Sequence, residues 1–329
     1  MLPHSDRHTC FIVPTKVLLH FQDIASALLS ENIRGHRIGS NFAMLASVPA
    51  GTKRRTVYDA RNGTRLPGTF ARGEGGSASP DATVNEAYDG AGATYDFYLQ
   101  VLKRNSVDDR GLRLDSTVHY SRHYNNAFWN GRQMVYGDGD GKTFVGFASA
   151  LDVVAHELTH GVTQYTVPGG LVYEDQSGAL NESISDVFGS VVKQWKNNQD
   201  VTHADWLIGA GIMAPAAGKA LRSMKDPGNT SITWAGDDQP KDMSGYVPGG
   251  DVHTNSGIPN HAFYLAATNL GGHSWEKAGP IWYRALSLLS SHASFQEAAQ
   301  ATIHAVALLG FGSAERDAVT SAWHAVKVI

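Results

Sequence analysis

Hydrophobic and polar positions recur with different periods in successive parts of the chain. Residues 17–29 have apolar side chains at helical spacing, and residues 40–47 form a second short apolar piece. Residues 56–60 and 118–121 have the composition of strands, whereas residues 82–102 place their apolar side chains on one helical face. The pattern predicts helix first and then a region of mixed helix and strand.

The chain is predicted to become mainly helical after one hairpin. Residues 125–131 and 133–141 alternate as hairpin arms do and end in a Gly/Asp loop. Helical periodicity follows at residues 150–166, 178–196, 255–270, 275–289, 295–309 and 313–326. We therefore expect an α+β protein with a short segment at residues 1–50, a β-rich lobe at 51–150, and a central helix and α-helical lobe at 151–329.

Composition limits the class of protein. The 329 residues are 42% hydrophobic and 18% charged, which is typical of a folded globular chain. The net charge of −4 argues against a general nucleic-acid partner, and no run approaches the roughly 18 apolar residues that a membrane span needs. No signal-peptide pattern is visible in the first 30 residues. Cys10 is the single cysteine, so no intramolecular disulfide is expected.

The first predicted helix after residue 150 carries the clearest chemistry. His156 and His160 lie four residues apart and share a helix face, where two imidazoles can bind one metal ion. Glu157 is placed to act as a base on a water molecule. The pattern H-E-x-x-H is short enough to occur by chance in roughly 1% of chains of this length, so a working site needs further residues.

Glu182 is the strongest candidate for a third metal ligand. It lies on the predicted helix at residues 178–196, and Asp186 follows one turn later on the same face. A carboxylate at Asp186 can accept the free N–H of a ligand histidine and fix its tautomer. The alternative is a solvated acidic face, which the apolar neighbours Ile184 and Val187 disfavour because a buried, unpaired carboxylate is costly.

Taken together, residues 156–163 and 178–186 resemble the thermolysin family of zinc metalloendopeptidases. The similarity runs from about residue 56 to the C-terminus and includes residues 125–141, 221–224 and 252–257. It implies a two-lobed thermolysin-like metalloprotease, in which a β-rich N-terminal lobe and an α-helical C-terminal lobe are joined by the zinc-binding helix.

The resemblance implies the composition of the metal site. His156, His160 and Glu182 would hold one zinc ion per chain. Glu157 would take a proton from the attacking water and pass it to the leaving amine. The residues implied to support the ligands are Asn181 and Asp186.

Three more residues are implied to act on the reacting carbonyl. His253 and Tyr173 would donate hydrogen bonds to the oxyanion that forms when the carbonyl is attacked. Asp251 would orient His253, although some family members place this carboxylate further upstream, where this chain has Pro248.

A further set of residues is implied to bind the peptide. Arg222 would bind a substrate carbonyl, and Asn126 with the main chain of Ala127 would align the peptide as an added strand. The positions that match the pocket for the residue after the scissile bond are Phe144, Phe147, Val153 and Leu221. We therefore expect hydrolysis of peptide and protein substrates on the N-terminal side of bulky hydrophobic residues. These four positions are equally consistent with plain core.

The double calcium site of thermolysin itself is expected to be absent. Asp152 and Asp205 keep two of its acidic positions, but Lys193 puts a positive charge where a divalent cation would lie. Lys193 is expected to pair with Asp152 instead, so calcium binding is doubtful.

The first 50 residues resemble the short propeptide of protealysin-like members of the family. Residues 49–55 are small, flexible and basic, as in a cleavable linker, although an ordinary surface loop has the same composition. We expect a latent precursor whose N-terminal segment covers the cleft until cleavage between residues 46 and 55. Cys10 is expected to pack as a small apolar side chain, with a thiolate that reaches the zinc as the alternative.

The sequence leaves alternatives open for the cellular location and for the function. The family implies secretion, and with no visible signal peptide the alternatives are cytoplasmic residence or non-classical export. A non-catalytic peptide-binding protein on the same scaffold would be expected to have a damaged site, whereas every proposed ligand, base and donor is present. A different metallohydrolase such as an aminopeptidase would need a group that captures a free amine, and none is evident.

Overall fold

The computed structural model describes residues 9–34 and 48–329, and the apolar piece predicted at residues 40–47 lies outside these ranges. A mixed β-sheet occupies the N-terminal half and helices dominate the C-terminal half, which confirms the predicted α+β class. Within the described ranges, no helix is both long enough and apolar enough to cross a membrane.

Short strands form two sheets in the described part of the chain. The strands are β1 (Cys10–Phe11), β2 (Arg55–Asp59), β3 (Thr69–Gly73), β4 (Leu114–Val118), β5 (Ala127–Trp129), β6 (Met134–Tyr136), β7 (Leu207–Ile208) and β8 (Arg222–Ser223). The larger sheet has the order β1-β5-β6-β4-β2-β3, and β7 pairs with β8. Because β1 pairs antiparallel with β5, the N-terminal segment supplies one edge of the larger sheet.

Helices make up the remaining regular secondary structure. They are α1 (Thr15–His20), α2 (Ile24–Arg34), α3 (Ala82–Leu102), α4 (Leu151–Thr166), α5 (Asp175–Lys196), α6 (Val252–Asn255), α7 (Gly257–Leu270), α8 (Ala278–Leu286), α9 (Phe295–Leu308) and α10 (Ser313–Ala325). Single 3₁₀ turns lie at Phe147–Ser149, Ala210–Ile212 and Met243–Gly245. The predicted helices after residue 150 are confirmed, with ends that shift by a few residues.

Helix α3 forms where its periodicity predicts and joins the two lobes. Asp81 caps its start by accepting a hydrogen bond from the Thr83 amide at 2.9 Å, and Lys103 ends it in a left-handed conformation with φ 58°. The hydroxyl groups of Tyr98 and Thr159 lie 2.7 Å apart, which ties α3 to α4.

The antiparallel packing of α4 against α5 forms the centre of the molecule, and both helices are buried over most of their length. Gly189 permits the close approach, since a Cβ there would lie 2.6 Å from the carbonyl oxygen of Asp152 and 3.5 Å from Cβ of His156. The missing side chain brings the carboxylates of α5 within reach of the imidazoles of α4.

Two predicted elements differ from the structure because of backbone conformation. The single helix expected at residues 17–29 is two helices, α1 and α2, because Gln22 adopts φ 61° between them. The strand expected at residues 118–121 lies earlier, at β4, because His119 and Ser121 adopt φ 55° and 57° and end the extended run.

Candidate active site

The two histidines of α4 are buried and converge on one point. Their Nε2 atoms lie 3.0 Å apart, and neither residue is more than 2% exposed. Nδ1 of His156 is 2.8 Å from Asp186 Oδ1, and Nδ1 of His160 is 2.8 Å from Asn181 Oδ1. Because an acceptor holds each Nδ1–H, each Nε2 can present a lone pair to a metal ion.

Glu182 of α5 completes this cluster. Its carboxylate oxygens lie 3.5 Å from Nε2 of His156 and 3.6 Å from Nε2 of His160. Tyr173 donates a hydrogen bond to Oε1, whereas buried Oε2 has no hydrogen-bond partner among residues 9–34 and 48–329. Burial opposes ionisation, but the charges of His253 and His160 hold the pKa of Glu182 well below its usual range.

The cluster fits a zinc ion. Two imidazole nitrogens and one carboxylate oxygen are a donor set that zinc accepts in catalytic sites. A buried carboxylate oxygen without a hydrogen bond, beside two imidazoles with their other nitrogens occupied, is satisfied by a cation at that point. The ligand atoms of Cys10, His160 and Glu182 also lie within 4.8 Å of one another, so the N-terminal segment brings a thiol to the same place.

Glu157 faces the cluster from α4 and is fully buried. Its Oε2 accepts a hydrogen bond from the Trp129 amide at 2.9 Å, and its Oε1 has no hydrogen-bond partner in the described part of the chain. Burial raises the pKa of Glu157 to about 8. A carboxyl group in that range can accept and release a proton near neutral pH.

Asp186 links the metal cluster to a second buried network. It accepts hydrogen bonds from Arg222 Nε and Nη2, each at 2.8 Å, and from Asn260 Nδ2 at 2.9 Å. Burial opposes its charge, but Arg222 and His156 hold the pKa of Asp186 well below its usual range. Asp186 and Arg222 were predicted as site residues, but their contact with each other was not. Asn260 was not predicted, although a polar side chain within the apolar helix α7 is a signal for it.

Tyr173, His253 and Asp251 lie along one wall of the cluster. The Tyr173 hydroxyl is 3.3 Å from His253 Nε2, and that nitrogen is 3.4 Å from Glu182 Oε2. Asp251 Oδ1 lies 3.3 Å from His253 Nδ1 and also accepts from the backbone amides of His253 and Thr254, so it caps α6. The predicted orienting contact is therefore present and long.

The N-terminal segment occupies the cleft as an added strand. β1 pairs antiparallel with β5, with Cys10 opposite Trp129 and Phe11 opposite Phe128. The Ile12 amide continues this ladder by donating to the carbonyl of Ala127 at 3.3 Å. This is the geometry of a peptide that extends a sheet edge.

The polar residues predicted to bind substrate contact this segment. Arg222 Nη1 donates to the Ile12 carbonyl at 3.1 Å, and His253 Nε2 is 3.0 Å from the Phe11 carbonyl. Asn126 accepts from the Val13 amide at 3.0 Å and donates to the Val13 carbonyl at 2.9 Å. The peptide bond between Phe11 and Ile12 is thus the one held beside the catalytic candidates.

The four predicted pocket residues all lie in the core. Phe144, Phe147, Val153 and Leu221 are at most 1% exposed and belong to the same apolar cluster as Ile12. The rings of Phe144 and Phe147 have centroids 5.7 Å apart.

At the other end of the α4–α5 pair, Lys193 lies among acceptors. Its Nζ is 3.1 Å from Asp152 Oδ2 and 2.9 Å from Asp205 Oδ1, and it donates to the Leu207 carbonyl at 2.7 Å. Burial opposes the charge, but Asp152 and Asp205 raise the pKa of Lys193. The predicted ion pair with Asp152 is confirmed.

A strand-containing lobe and a helical lobe, with a buried His–His–Glu cluster on the helices between them, define a two-lobed metallopeptidase. Two family descriptions match the chain: "Thermolysin metallopeptidase, catalytic domain" at residues 31–164 and "Thermolysin metallopeptidase, alpha-helical domain" at residues 169–328. The chain belongs to the thermolysin family.

Similar proteins agree with this assignment. An extracellular metalloprotease of Pectobacterium carotovorum subsp. carotovorum is 51% identical over 290 residues, which are 85% of this chain and 83% of that protein. A thermolysin of Alicyclobacillus acidocaldarius subsp. acidocaldarius is 46% identical, and the match covers 83% of this chain and 50% of the relative. The solved precursor of protealysin, a metalloproteinase from Serratia proteamaculans, superimposes with a TM-score of 0.85 at 46% identity, over 97% of this chain and 100% of that chain.

These relatives also define the activity. The protein is a zinc-dependent metalloendopeptidase that is made as a precursor, and a non-catalytic binding function is not favoured.

Proposed function

We propose that His156, His160 and Glu182 hold one zinc ion and that the chain cleaves peptides on the N-terminal side of bulky hydrophobic residues. When bound, zinc supplies a Lewis acid that polarises a peptide carbonyl and favours ionisation of water at neutral pH. Asn181 and Asp186 keep the two ligand imidazoles in the tautomer that presents Nε2.

The residues around the ligands carry the proton and the developing charge. Glu157 takes a proton from the attacking water and delivers it to the leaving amine. His253 and Tyr173 donate hydrogen bonds to the oxyanion, and Asp251 orients His253. The support for this assignment is the contact between His253 Nε2 and the carbonyl of Phe11, on the bond that precedes the two residues held by Arg222 and Asn126.

The same contacts support the proposed specificity. The residue after the bond held beside His253 is Ile12, which is fully buried in the apolar core that also contains the predicted pocket residues. A site shaped around an isoleucine favours a bulky hydrophobic side chain at that position of a substrate, because burial there removes apolar surface from water.

Latency follows from the position of the N-terminal segment. We assign residues 1–50 to a short propeptide, residues 51–150 to the β-rich catalytic lobe, and residues 151–329 to the central helix and α-helical lobe. Residues 10–13 fill the groove that a substrate must enter, so the precursor stays inactive until the segment leaves. We also propose export from the cell, since one relative is described as extracellular.

Casein hydrolysis tests the proposal. Processed wild-type protein should degrade casein, a zinc chelator should abolish the activity, and added zinc should restore it. Glu157→Gln should lower kcat roughly 10³-fold because the proton acceptor is lost. Incubated full-length wild-type chain should shorten as activity appears.

A matched control separates this loss from a general effect of removing a carboxylate. Glu276→Gln, at a position whose side chain is 57% exposed, should keep wild-type activity. Activity that survives both the chelator and Glu157→Gln, or a stable full-length chain with full activity, would contradict the proposal.

A further inference from the structure

Where the N-terminal segment leaves the cleft, a lysine side chain contacts the catalytic part of the chain. Lys16 lies at the start of α1, and its Nζ hydrogen-bonds to Asp238 Oδ1 and Thr254 Oγ1. The Thr254 hydroxyl is itself 3.3 Å from Asp238 Oδ1, so these two residues bind the ammonium group together.

Beside this contact is a small cavity whose polar walls are not fully satisfied. It is lined by Pro14, Lys16, Arg222, Asp237, Gln239 and His253, among others. Asp237 and Gln239 are 7% and 5% exposed. Within the described ranges, Asp237 Oδ2 and Gln239 Oε1 have no hydrogen-bond partner. Both atoms are acceptors, and they point to a ligand that brings N–H donors.

The charges around the cavity also favour a cation. Asp237, Asp238 and Asp251 come from the catalytic part of the chain. Arg222 lines the cavity but is bound to Asp186 through two hydrogen bonds. Burial raises the pKa of Asp237, and the ammonium of Lys16 acts in the opposite direction. Once Lys16 leaves, the carboxylates face the groove without its charge.

We propose that Asp237, Asp238, Gln239 and Thr254 form an acidic subsite that binds a lysine or arginine side chain on the C-terminal side of the cleaved bond. The inference rests on the proposed peptidase function, because the cleft must be the one that binds substrates. In the precursor Lys16 occupies this subsite, and in the processed enzyme a basic residue of the substrate replaces it.

The position of the subsite follows from the bound segment. Val13 is held by Asn126, Pro14 follows it, and Lys16 is the fifth residue after Phe11. The chain turns into α1 at Thr15, which directs Lys16 toward Asp238 instead of along the groove. A peptide that repeats residues 9–20 contains all the residues of this turn and is therefore the matched probe.

Two peptides of residues 9–20 with Cys10→Ser, one with Lys16 and one with Lys16→Gln, test the subsite as inhibitors of casein hydrolysis by processed wild-type enzyme. The Lys16 peptide should inhibit at about three- to fivefold lower concentration, the range expected for a partly exposed ion pair. Raising the salt concentration should shrink the ratio, since exposed charges are screened.

Charge reversal provides the control. Asp238→Lys should remove or invert the preference, whereas Asp317→Lys, at an exposed position on α10, should preserve it. Equal inhibition by the two peptides with wild-type enzyme would overturn the proposal, and so would an unchanged preference in Asp238→Lys.

A second measurement keeps the subsite separate from catalysis. In full-length protein, Lys16→Asp should speed amide hydrogen exchange in α1, and the pair Lys16→Asp with Asp238→Lys should slow it again. Absence of casein hydrolysis by wild-type enzyme would contradict only the proposed function. The exchange experiment would still test whether Asp238 binds the side chain at position 16. Equal exchange in the single and paired variants would overturn the inference.

Discussion

The two ends of the α4–α5 pair bury charge in different ways. At one end two imidazoles and Glu182 converge, and a buried carboxylate oxygen has no hydrogen-bond partner within the described ranges. At the other end Lys193 lies among Asp152, Asp205 and the Leu207 carbonyl. The proposed zinc site would take its cation from solution, whereas the other cluster carries its cation as a side chain.

The difference has a physical consequence for what each end can do. A side-chain ammonium is always present, so the Lys193 end is stable in any metal concentration, but its donors are fully used within the protein. A metal site is incomplete until loaded and keeps a coordination position for chemistry. The helix pair thus keeps permanent support at Lys193 and the metal cluster at Glu182, roughly 16 Å apart along α5.

Removing the Lys193 ammonium from its end of the α4–α5 pair should have the largest effect on stability. Lys193→Met leaves Asp152, whose side chain is 3% exposed, without its counter-charge. The free energy of unfolding should fall by about 3 kcal/mol, as for other broken buried pairs. Urea unfolding of the full-length chain with Glu157→Gln, which prevents autolysis, measures the change.

Lys196→Met, at an exposed position on the same helix, is the control and should change stability by less than about 0.5 kcal/mol.

Lys193→Glu tests the same end of the helix pair in another way. It gathers three carboxylates, so its melting temperature should rise with millimolar calcium, whereas that of the wild type should not. Equal losses in the two methionine variants, or a calcium response in the wild type, would contradict this account.

Moving α4 and α5 apart should lower the free energy of unfolding and also reduce zinc binding. Gly189→Ala places a Cβ 2.6 Å from the Asp152 carbonyl, and the helices must move apart. We expect a loss of about 2 kcal/mol in the free energy of unfolding, typical of overpacking. Zinc content per chain should also fall, because Glu182 and Asp186 lie on the displaced helix.

The control is Gly146→Ala, where a Cβ meets nothing within 4 Å and φ is −51°. This variant should keep both stability and zinc content. A Gly189→Ala protein with unchanged zinc content would show that the helix spacing does not set the ligand geometry.

A titratable cation in the β-rich lobe gives the smallest effect and extends the comparison. His119 lies 2.8 Å from Asp81 and 2.9 Å from Asp138. The hydrogen bond to Asp138 is the main reason that the pKa of His119 rises to about 9, against the opposing effect of burial. Because the folded pKa lies above the unfolded value of about 6.5, the stabilisation is complete below pH 6.5 and is lost as the pH rises through about 9.

His119→Gln should therefore lower the melting temperature most near pH 6, and the difference from wild type should disappear near pH 10. Solvent screens these contacts, since the three side chains are 20% to 38% exposed, so the shift in melting temperature should be smaller than for the two helix variants. Lys193→Met should keep its full effect across the same pH range. A difference for His119→Gln that does not depend on pH would indicate lost packing instead of lost charge.

Local sequence predicted the helices well, and it identified the proposed ligands that the structure brings together, because both depend on short spacings. His156, His160, Glu182 and Asp186 follow the helical repeat, so their faces can be deduced before any fold is known. The helix break at Gln22 was missed because glutamine does not signal a left-handed backbone.

Long-range contacts were beyond the sequence for a different reason. Arg222 donates to the carbonyl of Ile12 across 210 positions of the chain, and Lys16 meets Asp238 across 222. No local period records such pairs, since they depend on how the N-terminal segment lies in the cleft. Asn260 was missed likewise, because its partner Asp186 is on another helix.

In the proposed mode of binding, the peptide bond between Phe11 and Ile12 lies in the groove that substrates use, so inhibition by the N-terminal segment and substrate preference are two properties of one surface. A mutation that reshapes the pocket around Ile12 changes which proteins are cut and also how tightly the N-terminal segment binds in the cleft and inhibits the precursor. New specificity therefore requires a matching change in residues 11–13, or it produces an enzyme that is active too early. Substrate preference and inhibition by the N-terminal segment therefore change together.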